Sequence, residues 1–343
     1  MNDPVLDTLC LPLLDGTIDL PNDGPTLVLR ARTGEALRRL PRERLLCDQS
    51  FKPAYDALAR DGFALRDAQA PSIYSMTLVL PPRQREEGRA LLARAVRATD
   101  DGGIVMAAAS NLEGAKTVEN DLKSLTGSVT ALSKNKCRVF WSRIDADRLN
   151  TAQIDAWLNL DAPRPVADGR FRSRPGLFAW DHIDAGSKLL VETLPPTLKG
   201  RAADLGAGFG YLSDAVLARY PQVTHLDAIE AEGRAVDLLR QNLAAYGDRA
   251  ACHWLDATGP LPATYDVIVS NPPFHVDRQD RHDIGQAFIR SAASSLIPGG
   301  TLWMVANRHL PYEETLKAAF KNVETAARTD AFKVFRAVGP KKS

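Results

Sequence analysis

The chain has few of the features that mark secreted, metal-binding or membrane proteins. Its 343 residues include only four cysteines, and none of them form a Cys-x-x-Cys pair. A zinc site or a disulfide framework is therefore not expected, and a reducing cytoplasm is the predicted location. No apolar run reaches the length of about 18 residues that a membrane helix needs, and the amino terminus does not resemble a signal peptide.

An excess of charge of either sign is also missing. The chain has 43 Lys and Arg against 42 Asp and Glu, which gives a formal net charge of +1. Proteins that bind the phosphate backbone over a wide surface usually have a basic balance. If the substrate is RNA, its contacts must therefore be local. The length fits two domains of ordinary size.

The carboxyl-terminal half alternates β-rich runs with helical patterns, which predicts a mostly parallel α/β sheet. Predicted strands lie at Ala202–Leu205, Val223–Ile229, Cys252–Leu255, Asp266–Ser270, Thr301–Ala306 and Phe332–Ala337. Apolar residues recur at helical spacing within 212–217, 235–243 and 284–293.

The amino-terminal half repeats this rhythm in weaker form. Its predicted strands lie at Thr26–Leu29, Arg44–Cys47, Met76–Leu80 and Ile104–Ala108. At a nearly constant offset the two halves match Gly103 with Gly300, Asn111 with Asn307 and Phe140 with Phe335. This pattern predicts an internal duplication, and the alternative is a chance likeness between two α/β domains.

Differences between the halves indicate which copy is active. After its first strand the amino-terminal half has Arg30 to Thr33 where the other half has a glycine cluster. Bulky side chains there would block the close approach of the backbone to a ligand. Leu80 stands in the place of Asn271. We therefore expect a catalytically silent copy over 1–160, a linker rich in proline and arginine over 161–175, and a catalytic domain over 176–343.

The first motif with chemical meaning is the glycine cluster, with Gly206, Gly208 and Gly210 following Asp204. Glycines after a strand let the backbone approach a ligand at the start of the next helix. Glu230, at the end of the second strand, can accept hydrogen bonds from ribose hydroxyls. Asp256, after the third strand, is a candidate for an adenine amine or a simple turn residue. These residues indicate a nucleoside, and they fit NAD as well as S-adenosylmethionine.

The second motif, Asn271-Pro272-Pro273-Phe274, favours S-adenosylmethionine over NAD. Two prolines fix the backbone and remove two N–H donors, so carbonyl oxygens and the Asn271 amide oxygen converge as acceptors. Acceptors that hold both N–H groups of an exocyclic amine can aim its lone pair at a methyl group, and Phe274 can stack on the base. The pattern predicts methyl transfer to an exocyclic amino nitrogen of a nucleic-acid base.

Together these motifs resemble the class I, Rossmann-like S-adenosylmethionine-dependent methyltransferases. Within that class the chain resembles the ribosomal RNA small subunit methyltransferase C family, which methylates guanine N2 in 16S rRNA. The resemblance covers essentially the whole chain, including the silent copy. It is carried by Phe178–Leu190 (FAWDHIDAGSKLL), by Asn271 to His275, by Ala306–Tyr312 (ANRHLPY) and by Phe332–Arg336 (FKVFR).

The resemblance implies a seven-stranded methyltransferase domain preceded by a degenerate, duplicated methyltransferase-like domain that serves substrate binding or stability. It implies S-adenosylmethionine as cofactor, no metal, and 16S rRNA at a guanine 1207 type site, or the small ribosomal subunit, as partner. A monomer is expected. The implied cofactor residues are Asp204, Gly206, Gly208, Gly210, Glu230, Asp256 and Asn271. The implied catalytic residues are Asn271, Pro272 and Phe274, and the implied substrate residues are Phe178, Gly186, Ser187, Pro273 and Asn307.

Several other functions remain open at the level of sequence. A guanine-N2 methyltransferase of 23S rRNA carries the same motif. A protein glutamine-N5 methyltransferase acts on a similar planar amide, and an adenine-N6 DNA methyltransferase uses the same motif logic. An NAD-dependent oxidoreductase has no use for Asn-Pro-Pro-Phe. A non-catalytic RNA-binding factor is disfavoured by the intact glycine cluster.

Overall fold

Two compact units make up the chain, Met1–Ala162 and Pro163–Ser343. The computed structural model describes residues 3–273, 275, 276, 279, 280 and 282–341, with the backbone alone at 275, 276, 279 and 280. Phe274 of the predicted motif therefore lies outside the described residues. Across the described ranges, no helix combines the length and apolar character needed to cross a bilayer.

The first unit is built on one seven-stranded sheet. Its strands are β1 Thr26–Leu29, β2 Leu45–Asp48, β3 Ala64–Leu65, β4 Tyr74–Val79, β5 Thr99–Ser110, β6 Thr130–Lys134 and β7 Cys137–Arg143. Its helices are α1 Pro4–Leu14, α2 Glu35–Arg38, α3 Lys52–Arg60, α4 Arg85–Arg97, α5 Ala115–Thr126 and α6 Thr151–Leu158. The strand order is β3-β2-β1-β4-β5-β7-β6, with the last two strands antiparallel to their neighbours.

The second unit opens with a hairpin, β8 Arg164–Val166 and β9 Phe171–Ser173, which lies within the segment predicted as a linker. The strands of its main sheet are β10 Gly200–Leu205, β11 Val223–Glu230, β12 Ala250–Trp254, β13 Tyr265–Ser270, β16 Leu296–Asn307, β17 Phe320–Arg328 and β18 Phe332–Pro340. A second short hairpin consists of β14 His275–Val276 and β15 Gln279–Asp280. The helices are α7 Ala185–Thr193, α8 Tyr211–Arg219, α9 Gly233–Asn242, α10 His282–Ser295 and α11 Glu313–Ala319.

The predicted duplication is confirmed by the topology of the two units. The second sheet has the order β12-β11-β10-β13-β16-β18-β17, which repeats the order of the first. Phe140 pairs with Ala107 in the first sheet, and Phe335 pairs with Met304 at the corresponding place in the second. Even the local register shift between β4 and β5 recurs between β13 and β16. Two α/β domains alike by chance would not share these irregularities.

The central strands of the sheet could be predicted from the sequence because both of their faces are buried. Val267, Ile268 and Val269 of β13 form an unbroken apolar run, as expected for a strand covered by helices on each side. Helix α9 buries one apolar face, and its Leu239 packs in a cluster with residues of the sheet such as Leu226. These two patterns place the carboxyl ends of β10, β11 and β13 side by side, where the candidate site lies.

Two features of the second sheet differ from the sequence prediction. Strand β17 was not predicted, because most of its side chains are exposed and it carries no apolar pattern. Strand β16 begins at Leu296 and not at the predicted Thr301, so it includes Pro298, Gly299 and Gly300. Gly299 takes a φ of +84° there, which kinks the strand without ending it.

Candidate active site

The glycine turn connects β10 to α8 at the carboxyl edge of the sheet. Gly206, Gly208 and Gly210 have φ values of +75°, +56° and +104°, a region that side chains other than glycine rarely adopt. A Cβ at Gly210 would lie 2.8 Å from Leu239 Cδ1, so the turn also packs closely on α9. The Gly206 N–H donates to the Ile229 carbonyl at 2.9 Å, which ties the turn to β11.

Two carboxyl groups lie against this turn. Asp204 is fully buried: its Oδ2 accepts a hydrogen bond from Ser213 Oγ at 2.7 Å, and burial raises its pKa to about 7. Glu230 accepts from the N–H of Gly208 at 2.8 Å and from that of Glu232 at 2.7 Å. Burial raises the pKa of Glu230, and these two hydrogen bonds oppose the rise. The buried Oδ1 of Asp204 has no donor among the described residues.

The side chain of Asn271 is held by the first turn of α7. Its Nδ2 donates to Asp184 Oδ2 and to Ser187 Oγ, each at 2.8 Å. Asp184 is the N-cap of that helix and also accepts from the Ser187 N–H at 2.8 Å. The Asn271 Oδ1 atom is buried, and within the described ranges nothing donates to it. The arrangement therefore leaves one amide oxygen as an acceptor that no described residue uses.

A cavity joins the glycine turn to Asn271. Its lining consists of Phe178, Ala179, Asp184, Ser187, Gly206, Ala207, Gly208, Phe209, Tyr211, Leu212 and Asn271. Phe178 is 68% exposed, which is unusual for a phenylalanine, so it offers a free aromatic face at this cavity. All of these residues belong to the second unit.

Five of the predicted site residues meet at the cavity, namely Phe178, Ser187, Gly206, Gly208 and Asn271. Asp204 contacts Ser213 of helix α8, and Glu230 contacts the glycine turn at Gly208. Asp256 is used in a local turn, where its Oδ1 accepts from the N–H and hydroxyl of Thr258 at 2.9 and 2.7 Å. It is not part of the cavity lining.

The remaining predicted residues that the structure describes lie outside the cavity lining. Gly186 allows close packing, because a Cβ there would lie 3.1 Å from the ring of Phe332. Pro272 is buried and Pro273 is exposed, directly after Asn271. Asn307 ends β16, and its carbonyl accepts a turn hydrogen bond from the Leu310 N–H.

The sequence prediction missed Asp184, one of the two residues that accept a hydrogen bond from Asn271. An aspartate three residues before a serine, ahead of an apolar run, is a recognisable helix start. That signal predicts the start of α7 but not the contact, because Asn271 lies far along the chain.

The same region of the first unit is closed by apolar side chains. Leu80 lies directly after the paired part of β4, at the position that Asn271 has after β13. Leu6 lies three residues after the N-cap Asp3 of α1, at the position that Ser187 has after Asp184. Both leucines belong to one buried cluster. At the position of Gly206, Arg30 has a φ of +53°. The predicted silent copy thus has neither the glycine turn nor an open amide acceptor.

Comparison with known proteins identifies the family. The Methyltransferase small domain matches residues 168–336. Ribosomal RNA small subunit methyltransferase C of Cronobacter sakazakii is 32% identical over 257 residues, which cover 75% of this chain and 73% of that protein. The Salmonella newport protein of the same name is 31% identical over the same lengths.

The chain belongs to the ribosomal RNA small subunit methyltransferase C family. It is therefore a methyltransferase, and the alternatives of an oxidoreductase and of a non-catalytic RNA-binding factor are not supported. A solved structure, the T. thermophilus 16S rRNA N2 G1207 methyltransferase in complex with AdoMet and guanosine, has a TM-score of 0.80 at 24% identity. The superposition covers 98% of this chain and 92% of that one, so the two-sheet fold of the family extends through both units.

Proposed function

We propose that the chain transfers a methyl group from S-adenosylmethionine to the exocyclic N2 of a guanine in 16S rRNA, at a site of the guanine 1207 type. The observation that carries this proposal is the buried Oδ1 of Asn271, which has no donor among the described residues, on a side chain that lines the same cavity as the glycine turn. The names of the relatives support it, because they are small-subunit rRNA methyltransferases and the solved relative is described with AdoMet and guanosine.

The residues around the glycine turn fit S-adenosylmethionine. A Cβ at Gly208 would meet nothing within 4 Å, so the backbone there is open to a ligand. Asp204 Oδ1 is a buried acceptor that fits a donor of the cofactor, and each Glu230 oxygen keeps a lone pair for a ribose hydroxyl. Asp256 remains a candidate for the adenine amine. When bound, the cofactor supplies a methyl group activated by its sulfonium.

On the substrate side the chain holds a weak nucleophile in position. The lone pair of an exocyclic amine is delocalised into the ring, so the amine attacks poorly unless its geometry is controlled. Asn271 Oδ1 and a carbonyl of the Asn-Pro-Pro segment accept its two N–H groups and direct the lone pair. Phe274 is expected to stack on the base, and the exposed Phe178 offers a further aromatic face. Positioning of this kind is a large source of rate acceleration.

The proposal extends to the substrate wall, the partner, the first unit and the location of the enzyme. Gly186, Ser187, Pro273 and Asn307 shape the wall on the substrate side. Naked 16S rRNA or the small ribosomal subunit is the partner, and the target base must be splayed out of any helix to enter the cavity. The first unit serves substrate binding or stability. The enzyme acts as a monomer in the cytoplasm.

The decisive experiment measures transfer of labelled methyl from S-adenosylmethionine to RNA from subunits that lack the modification. Nucleoside analysis is expected to find the label in N2-methylguanosine of 16S rRNA. Label in 23S rRNA instead would transfer the assignment to the other ribosomal subunit. If no RNA is labelled while the cofactor still binds, the test moves to glutamine in a protein substrate.

Asn271→Ala is expected to cut methyl transfer by about three orders of magnitude, because a positioned acceptor acts mainly in the transition state. Affinity for S-adenosylmethionine, measured by calorimetry, should change little. Transfer by Asn271→Ala near the rate of the unaltered chain would contradict the acceptor role.

A further inference from the structure

We infer that Asp184 is a positioning residue, which orients the Asn271 amide so that its oxygen and not its NH2 group faces the substrate amine. The inference rests on the proposed function, since it concerns the same cavity. It adds a residue that does not itself touch the reacting atoms.

Hydrogen-bond chemistry explains why the orientation depends on Asp184. An ionised carboxylate only accepts, whereas the Ser187 hydroxyl can donate or accept. With Nδ2 toward Asp184 Oδ2 at 2.8 Å, the Asn271 amide donates to a charged acceptor. Rotated by half a turn, it would place oxygen against oxygen there and present two N–H groups to a substrate amine that is itself a donor. The carboxylate therefore selects the reactive orientation.

The carboxylate of Asp184 is itself held in place. As the N-cap of α7 it accepts from the Ser187 N–H at 2.8 Å, which fixes the side chain at the start of the helix. A Cβ at Gly186 would lie 3.1 Å from Asp184 Oδ2 and equally close to the Phe332 ring. The lack of a side chain at Gly186 thus avoids a tight contact with both the Asp184 carboxylate and Phe332 of β18.

The first unit shows that an aspartate can cap a helix of this fold without orienting an amide. Asp3 caps α1 in the same manner, because its Oδ1 accepts from the Leu6 N–H at 3.1 Å. Its Oδ2 pairs with Arg32 Nε at 3.1 Å, and Leu80 occupies the place of Asn271. An aspartate cap therefore persists in this fold where no amide needs orienting. Asp3 supplies a matched control for a change at Asp184.

The test uses the full chain and the variants Asp184→Ser and Asp3→Ser. Serine is as good an N-cap as aspartate, so both variants keep the helix start, but a serine at 184 is too short to reach Asn271. Asp184→Ser is expected to lower kcat by about 10- to 100-fold, as expected for a misplaced reacting group, while KM for RNA and Kd for S-adenosylmethionine change less than about threefold. Asp3→Ser should retain kcat.

A double-mutant cycle then separates positioning from an independent effect. If Asp184 acts through Asn271, Asp184→Ser should cause less than about a twofold further loss in a chain that already carries Asn271→Ala. A full additional loss in that background would overturn the inference, because the carboxylate would then act on its own.

A measurement on the unaltered chain without cofactor completes the test. The Asn271 side-chain NH2 resonances, assigned by their loss in Asn271→Ala, should exchange slowly with solvent and should exchange at least about tenfold faster in Asp184→Ser. Fast exchange in the unaltered chain would overturn the inference whether or not the variant folds. No transfer by the unaltered chain would overturn the proposed function instead, whereas equal transfer by it and Asp184→Ser would overturn only the role of Asp184.

Discussion

At the scale of single residues, the buried carboxyl group of Asp204 makes the fold sensitive to pH. Its pKa lies near 7, because burial disfavours the charged form and Glu230 nearby opposes a second charge. Between its ordinary value of 3.8 and about 7, the folded chain holds this proton more tightly than the unfolded chain does. The contribution of Asp204 to stability is therefore complete at acidic pH and is lost as the pH rises through 7.

Asp204→Asn should accordingly stabilise the chain without cofactor at pH 8, by up to about 4 kcal/mol, and should change it little at pH 4. The same variant should bind S-adenosylmethionine more weakly, since it alters the proposed acceptor for the cofactor. Urea unfolding at the two pH values and calorimetry measure both effects.

Asp227→Asn, in the same unit, is a control that is expected to change stability at pH 8 in the opposite direction. Burial alone would raise the pKa of Asp227, but hydrogen bonds from His253 and Arg201 hold it well below its usual range. Asp227 therefore stabilises the fold above its ordinary pKa, and Asp227→Asn should destabilise the chain at pH 8. A loss of stability at pH 8 in Asp204→Asn as well would contradict the argument from burial.

At the scale of elements, the turn between β10 and α8 divides its glycines between folding and binding. Gly210 combines a φ of +104° with close packing on Leu239, whereas open space surrounds the Cβ position of Gly208. The protein interior thus requires a glycine at 210, whereas at 208 the proposed cofactor site is the reason for a glycine.

Gly210→Ala is expected to lower the free energy of unfolding by about 1–3 kcal/mol, through backbone strain and the contact with Leu239. Gly208→Ala should cost about 1 kcal/mol, since its φ of +56° lies in the allowed left-handed region. Affinity for S-adenosylmethionine should show the reverse order, with Gly208→Ala the more affected. Equal losses of affinity in both variants would argue against this division.

The elements also show why the sequence was informative in some places and silent in others. Buried strands such as β13 are continuous apolar runs, which predict a strand. The three closely spaced glycines predict a tight turn, because glycine readily adopts positive φ values. The edge strand β17 packs too few side chains to leave a pattern. The contact of Asp184 with Asn271 joins distant positions through the packing of α7, and no local pattern encodes such a contact.

At the scale of the whole molecule, the cavity belongs entirely to one of two units that each have their own sheet and buried clusters. Residues 163–343 alone should therefore fold and bind S-adenosylmethionine within about threefold of the full chain, because a domain with its own core is in principle autonomous. Residues 1–162 alone should not bind it. Circular dichroism and calorimetry on the two fragments test this.

A folded carboxyl-terminal fragment that cannot bind the cofactor would mean that the first unit completes the site. A fragment that binds the cofactor but methylates RNA poorly would agree with a substrate-binding role for the first unit. Equal methylation by fragment and full chain would leave stability as the role of that unit.

The apolar filling of the first unit makes it costly to convert that unit, one substitution at a time, into a site like that of the second unit. Leu80→Asn alone would bury an amide beside Leu6, in a cluster that offers it no carboxylate, because Asp3 is already paired with Arg32. An unsatisfied buried amide costs about 1–3 kcal/mol, a large share of the stability of a small domain. Each single change toward the site of the second unit thus costs stability before the others can add any benefit. Several substitutions would therefore have to occur together before the first unit could hold an amide as the second unit does.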